Sequence, residues 1–72
     1  MRFGDYIAML RNAKGLSQEK LGKLAGISGA TISMLESGHR SDMKLSNFMG
    51  LAKALGVTPL DLFRAFENRN AY

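Results

Sequence analysis

The chain is predicted to be all-α, a bundle of five short helices. Three observations lead there. Apolar residues recur three and four positions apart in five separate segments, and no segment alternates apolar with polar residues as a strand would. Between the segments stand glycines, and Gly15, Gly26 and Gly56 are each followed two residues later by a serine or threonine suited to capping the next helix. At 72 residues the chain has room for a single domain, 1–72, without a separate accessory module.

The first helix is expected over about 2–14, with Phe3, Ile7, Leu10 and Lys14 along one side. Gly15 ends it, because glycine suits the left-handed turn that follows a helix. Ser17 is a good cap for the second helix, and Glu19 in its first turn suits the positive end of the helix dipole. This segment is expected to bury Leu21, Leu24 and Ala25 before halting at Gly26. Ser28 caps a third helix that ends before Gly38. Ile32 and Leu35 share one side of it, while Ala30, Ser33, Met34 and Ser37 point the other way and Thr31 lies on the flank. A fourth helix, about 44–55, brings Leu45, Phe48, Leu51, Ala52 and Leu55 into phase and stops at Gly56. Thr58-Pro59-Leu60-Asp61 opens the fifth with a cap, a proline at the first helical position and an acid in the first turn. Leu60 and Phe63 suffice to pack that helix inward. Leu62, Ala65 and Phe66 then widen its apolar arc beyond one buried face. Residues 67–72 are polar and are expected to fray.

Composition excludes several function classes. There is no cysteine, so neither disulfides nor thiolate zinc sites arise, and the single histidine, His39, makes no metal site alone. No cofactor is indicated. No apolar run approaches the ~20 residues that cross a bilayer, and the N-terminus lacks a secretory apolar region, so a cytoplasmic location is expected. His39 and Asp42 are loop neighbours without an oxyanion motif, and Gly26 and Gly29 fit no phosphate-binding fingerprint; an enzyme is not expected. The formal charge of +4 leans toward an anionic partner, nucleic acid before membrane, though ordinary solubility explains it equally well.

Residues 17–37 meet the demands of a helix-turn-helix. Only Gly26 and Ile27, with a flanking residue, join the second helix to the third, which forces a steep crossing. Gly22 provides a small residue where the helices pass, Gly26 permits a positive φ, and Ile27, Ile32 and Leu35 are spaced to face inward.

The text LRNAKGLSQEKLGKLAGISGATISMLESGHR, followed by LAKALGVTPLDLF, resembles the helix-turn-helix family of lambdoid phage repressors and Cro proteins. The resemblance spans about residues 7–63, with LSQEKL, AGIS, TIS-LE-G and LAKALGVTP as its strongest pieces. It implies a five-helix repressor-like fold whose third helix enters the major groove of double-stranded DNA. By that resemblance Gly29, Ala30, Thr31, Ser33 and Met34 face the bases. Gln18, Ser28, Ser37, His39, Arg40 and Lys44 contact phosphates. Arg11 and Glu36 match a pair that forms an internal salt bridge in relatives.

The chain departs from the family pattern in two places. Between Glu36 and the LAKALG stretch it is slightly longer and lacks a proline. Lys44 also stands where a capping serine is usual, with Asp42 as the substitute cap. The third helix itself has none of the Gln, Asn or Arg that read base edges in two places at once. Its Ala30 and Met34 offer apolar contact and its Thr31 and Ser33 single hydroxyls, so part of the specificity is expected from DNA shape. The wide apolar arc of the fifth helix implies a homodimer through Leu62, Ala65 and Phe66. The leading expectation is a sequence-specific transcription regulator, a repressor, bound as a dimer to a palindromic operator. The alternatives are an antitoxin-type module that binds a partner toxin and a restriction–modification controller.

Overall fold

A computed structural model describes residues 2–39 and 43–68. Five helices follow one another: α1 (Phe3–Ala13), α2 (Gln18–Ala25), α3 (Gly29–Ser37), α4 (Leu45–Leu55) and α5 (Pro59–Asn68). No strand occurs among the described residues. The caps explain the boundaries. Ser17 Oγ accepts the Lys20 N–H at 3.0 Å, Ser28 Oγ that of Thr31 at 3.1 Å, and Thr58 Oγ1 that of Asp61 at 3.1 Å. Each cap satisfies one of the otherwise unpaired N–H groups at a helix start.

One apolar core holds the bundle. Ile7, Leu21, Ile32, Leu35, Leu51 and Leu62 are wholly buried, one or two from each helix. Burying a side chain of this size contributes roughly 1.5–3 kcal/mol. α2 lies against both α3 and α4, and α1 crosses α3 and reaches α5. These approaches are close enough to need bare backbone. A Cβ on Gly22 would collide with the Ile27 carbonyl oxygen, and one on Gly50 with the Ala25 carbonyl oxygen. The turn between α2 and α3 is closed by the Ile27 N–H, which donates to the Gly22 carbonyl at 2.8 Å, with Gly26 at φ 76°.

Three inward assignments are corrected. Leu24 is 54% exposed. It lies roughly 200° around the helix from Gly22, and Gly22 is where α2 meets the turn. Leu45, at 75% exposure, begins α4 some 240° from the buried Leu51 and falls off the core. In α5 the two apolar stripes are exchanged. Leu62 is 0% exposed and Ala65 and Phe66 pack against the core, while Leu60 and Phe63 face outward. Phe3 decides the exchange: its ring meets that of Phe66 edge-on at 5.1 Å, whereas Phe48 stands edge-on to both Phe66 at 6.1 Å and Phe63 at 6.4 Å. Leu62 is therefore core, and it has no surface to offer a second copy.

Candidate nucleic-acid interface

α3 is held from one side only. Ile32 and Leu35 are buried to 0% and 1%, whereas Ala30, Ser33 and Met34 are exposed on the opposite face. Thr31 is half-buried on the flank. Gly29 behaves differently from its neighbours. A Cβ there would lie 3.2 Å from the Glu19 Cα, so its side-chain direction faces α2 and only its backbone borders the outer surface. The outer face thus consists of a methyl, a thioether and two hydroxyls. It carries no acidic group that would repel an anion: α3 has no acid in its first turn.

A polar network pins α3 to the rest of the bundle. Arg11 donates from Nε to Glu36 Oε2 at 2.6 Å and from Nη2 to Oε1 at 3.0 Å, a bidentate pair. Its Nη1 donates to the Leu16 carbonyl at 2.7 Å. Gln18 Nε2 adds a bond to Glu36 Oε1 at 3.1 Å. The side chains of Arg11 and Glu36 are only 14% and 9% exposed. The hydrogen bonds that Arg11 donates to Glu36 raise the Arg11 pKa, with partial burial opposing and the carboxylate charge reinforcing the shift. Because that folded pKa lies above the unfolded one, the stabilisation that Arg11 contributes is fully present at neutral pH and is lost as pH rises into strong alkali.

Glu36 thereby ties the first residue of α2 to α3. Gln18 spends one amide hydrogen on Glu36 and keeps the second, beside the unpaired N–H groups at the start of α2. Such a helix start attracts anions.

Three of the residues expected at phosphates, Ser28, Ser37 and His39, stand at the two ends of α3. Ser28 caps its start, and its hydroxyl lies 2.8 Å from that of Thr31. At its end Ser37 Oγ donates to the Met34 carbonyl at 3.2 Å and meets His39 Nδ1 at 2.7 Å. Lys44 is exposed and precedes α4 without a side-chain cap. Arg40 and Asp42 lie outside the described residues.

Sequence reasoning missed one cation. The Arg2 guanidinium lies against Gly38, where any Cβ would strike its Nη2. It brings positive charge to the C-terminal end of α3, which the helix dipole favours. Nothing in the local sequence signals it, because the contact joins the start of α1 to the end of α3.

Comparison with known proteins agrees with this geometry. A family model described as helix-turn-helix matches residues 7–62. An uncharacterised HTH-type transcriptional regulator, RghRB of Bacillus subtilis, is 36% identical over 70 residues, 97% of this chain and 50% of that protein. The chain thus spans about half the length of RghRB. The HTH-type regulator y4dJ of Sinorhizobium fredii is 39% identical over 59 residues, covering 82% of this chain and 75% of its own. Among solved structures, the restriction-modification controller protein C.AhdI from Aeromonas hydrophila superposes with a TM-score of 0.76 at 43% identity, covering 85% of this chain and 91% of that one. SinR, a master regulator for biofilm formation solved in complex with DNA, shares the fold with a TM-score of 0.78 at 23% identity, over 85% of this chain and 97% of its own. With more than half its length matched and every helix of the motif in position, the chain belongs to the Cro/C1-type helix-turn-helix family of DNA-binding transcription regulators.

Proposed function

We propose that the chain is a sequence-specific repressor that binds a roughly palindromic operator as a homodimer, with α3 of each copy in the major groove. The observation that carries this reading is the one-sided packing of α3: Ile32 and Leu35 lock it, and Ala30, Ser33 and Met34 are left unoccupied. Two such helices would enter successive major grooves about 34 Å apart. Gln18, Ser28, Ser37, His39, Arg40 and Lys44 grip the phosphates that flank them. Repression follows from occlusion of polymerase, without chemistry.

The two kinds of contact separate experimentally. Lys44→Ala weakens binding to all duplexes alike and flattens the log–log salt dependence by about one unit. Met34→Ala leaves that slope unchanged and alters the preferred sequence. Binding of a duplex set across a salt series reads both effects, and a wild-type affinity indifferent to salt rules the mechanism out.

The dimer proposal moves to the outward stripe. Leu45, Leu60 and Phe63 are 75%, 57% and 47% exposed. An open apolar depression of about 220 Å³ runs between Met43, Leu45, Phe48, Phe63 and Phe66. A two-fold pairing across this stripe covers it. Ala65 and Phe66, half-buried, edge the surface rather than centre it. Phe63→Glu is expected to give a monomer in sedimentation analysis and to lower operator affinity about a hundredfold or more by loss of avidity. An unchanged sedimentation coefficient refutes the assignment.

The 43% identity to C.AhdI supports a second reading, control of a restriction–modification system. Binding of the chain to the DNA upstream of an adjacent methyltransferase or endonuclease gene tests it, and the absence of such genes removes it.

A further inference from the structure

Ser28 and Thr31 are joined twice. Ser28 Oγ accepts the Thr31 backbone N–H at 3.1 Å, and the two hydroxyl oxygens stand 2.8 Å apart, so one of them donates to the other. Each hydroxyl has one proton and two lone pairs. One lone pair of Ser28 is already spent on the Thr31 N–H. In the free protein the shared bond can run either way. A bound phosphate removes that freedom, because its oxygens accept hydrogen bonds and offer none.

We propose that docking of a DNA phosphate on Ser28 turns Thr31 into a pure hydrogen-bond acceptor toward the major groove, so that Thr31 selects a base carrying an amino donor. This inference deepens the operator-binding reading and rests on it. The proton count runs in one direction. Ser28 gives its only proton to the phosphate. The 2.8 Å bond must then be donated by Thr31 Oγ1–H into the remaining lone pair of Ser28. Ser28 is fully satisfied, with two bonds accepted and one donated. Thr31 Oγ1 has no proton left and presents lone pairs alone.

In the major groove adenine N6 and cytosine N4 donate, whereas guanine O6 and N7 and thymine O4 accept. An acceptor-only Thr31 therefore favours adenine or cytosine at the base it faces and opposes guanine or thymine. A serine–threonine pair that looks undemanding in isolation becomes a one-bit reader once the backbone is engaged. It supplies polar selectivity to a helix whose outermost residues, Ala30 and Met34, are apolar.

The test is competition among duplexes in which a selected operator is replaced one base pair at a time. Thr31→Val first marks the base pair that residue 31 reads, as the position whose preference it erases. The wild type is expected to favour adenine or cytosine there by about fivefold or more. Ser28→Ala frees the Thr31 proton to donate outward, and the preference should fall to within about twofold. Ser28→Asp is the discriminating variant. A carboxylate still caps α3 and still takes the Thr31 proton, so the preference survives while overall affinity drops by repulsion of the phosphate. Equal helical circular dichroism across the variants excludes a folding effect. Guanine or thymine at the marked position, or a Ser28→Ala variant with the wild-type preference, overturns the proposal alone. A wild-type chain that binds no duplex overturns the operator-binding reading beneath it.

Discussion

A single methyl group on Gly22 is expected to lower the melting temperature by about 10–20 °C. Two effects oppose each other at this position. Gly22 sits within α2 with ordinary helical torsion, so alanine gains about 1 kcal/mol of helix propensity. Against that, the added Cβ meets the Ile27 carbonyl oxygen and crowds the backbone of Ser28 and Gly29. Backbone atoms cannot rotate aside as a side chain can. The same Gly22–Ile27 approach carries the hydrogen bond that closes the turn. Overpacking of this kind costs about 3 kcal/mol or somewhat more, so it outweighs the propensity gain. Gly15→Ala is the matched control. Its φ is +69° and nothing lies within 4 Å of a Cβ, so only the backbone penalty of about 1–2 kcal/mol applies. Thermal melts that rank Gly22→Ala as the milder change would contradict the close crossing of α2 and α3.

Removal of the Arg11 charge is the second large effect. Arg11→Met strands the Glu36 carboxylate, 9% exposed in the wild type, with Gln18 as its one remaining hydrogen-bond partner among the described residues. Loss of one member of a buried pair costs about 3–5 kcal/mol, and the partial exposure here argues for the lower end. The cost arises mainly from the stranded charge. Arg11→Met combined with Glu36→Leu is therefore expected to recover much of the loss, since apolar replacement of a whole pair is often neutral. Denaturant titration of the single and double variants measures the recovery. If the double variant were as unstable as the sum of both single changes, the penalty would lie in lost packing rather than in the unpaired carboxylate.

Much of the fold was legible because its stops and starts are chemical. Ser17, Ser28 and Thr58 each accept an N–H three residues on, and Gly26, Gly38 and Gly56 adopt positive φ at helix ends. These are local signals, complete within a few residues. The inward face of α3 was legible for a similar reason, since Ile32 and Leu35 are its only large branched residues. The face of α5 was not. Leu60, Leu62, Phe63, Ala65 and Phe66 form two overlapping stripes of nearly equal apolar size. The choice between them is made by Phe3, from α1, which meets Phe66, and no periodicity within α5 contains that information. Leu24 and Leu45 failed for a related reason: the close approaches of α2 and α4 to their neighbours fall at Gly22 and Gly50, and each leucine lies on another side of its helix.

The candidate interface divides along the same line. The outward positions of α3 follow from the inward ones and could be read directly. The bond from Gln18 to Glu36 and the seat of Arg2 against Gly38 join residues 18 and 36 positions apart, beyond the reach of any local pattern.

The separation of duties on α3 has an evolutionary corollary. Ile32 and Leu35 hold the helix while Ala30, Ser33 and Met34 take no part in the hydrophobic core. Mutations at those three sites can thus accumulate without being purged for misfolding, and under the operator-binding proposal a duplicated gene can drift to a new promoter by changing them. On the same proposal that independence makes the helix a ready chassis for engineered regulators, with target choice rewritten on its outer face and the folding programme left intact.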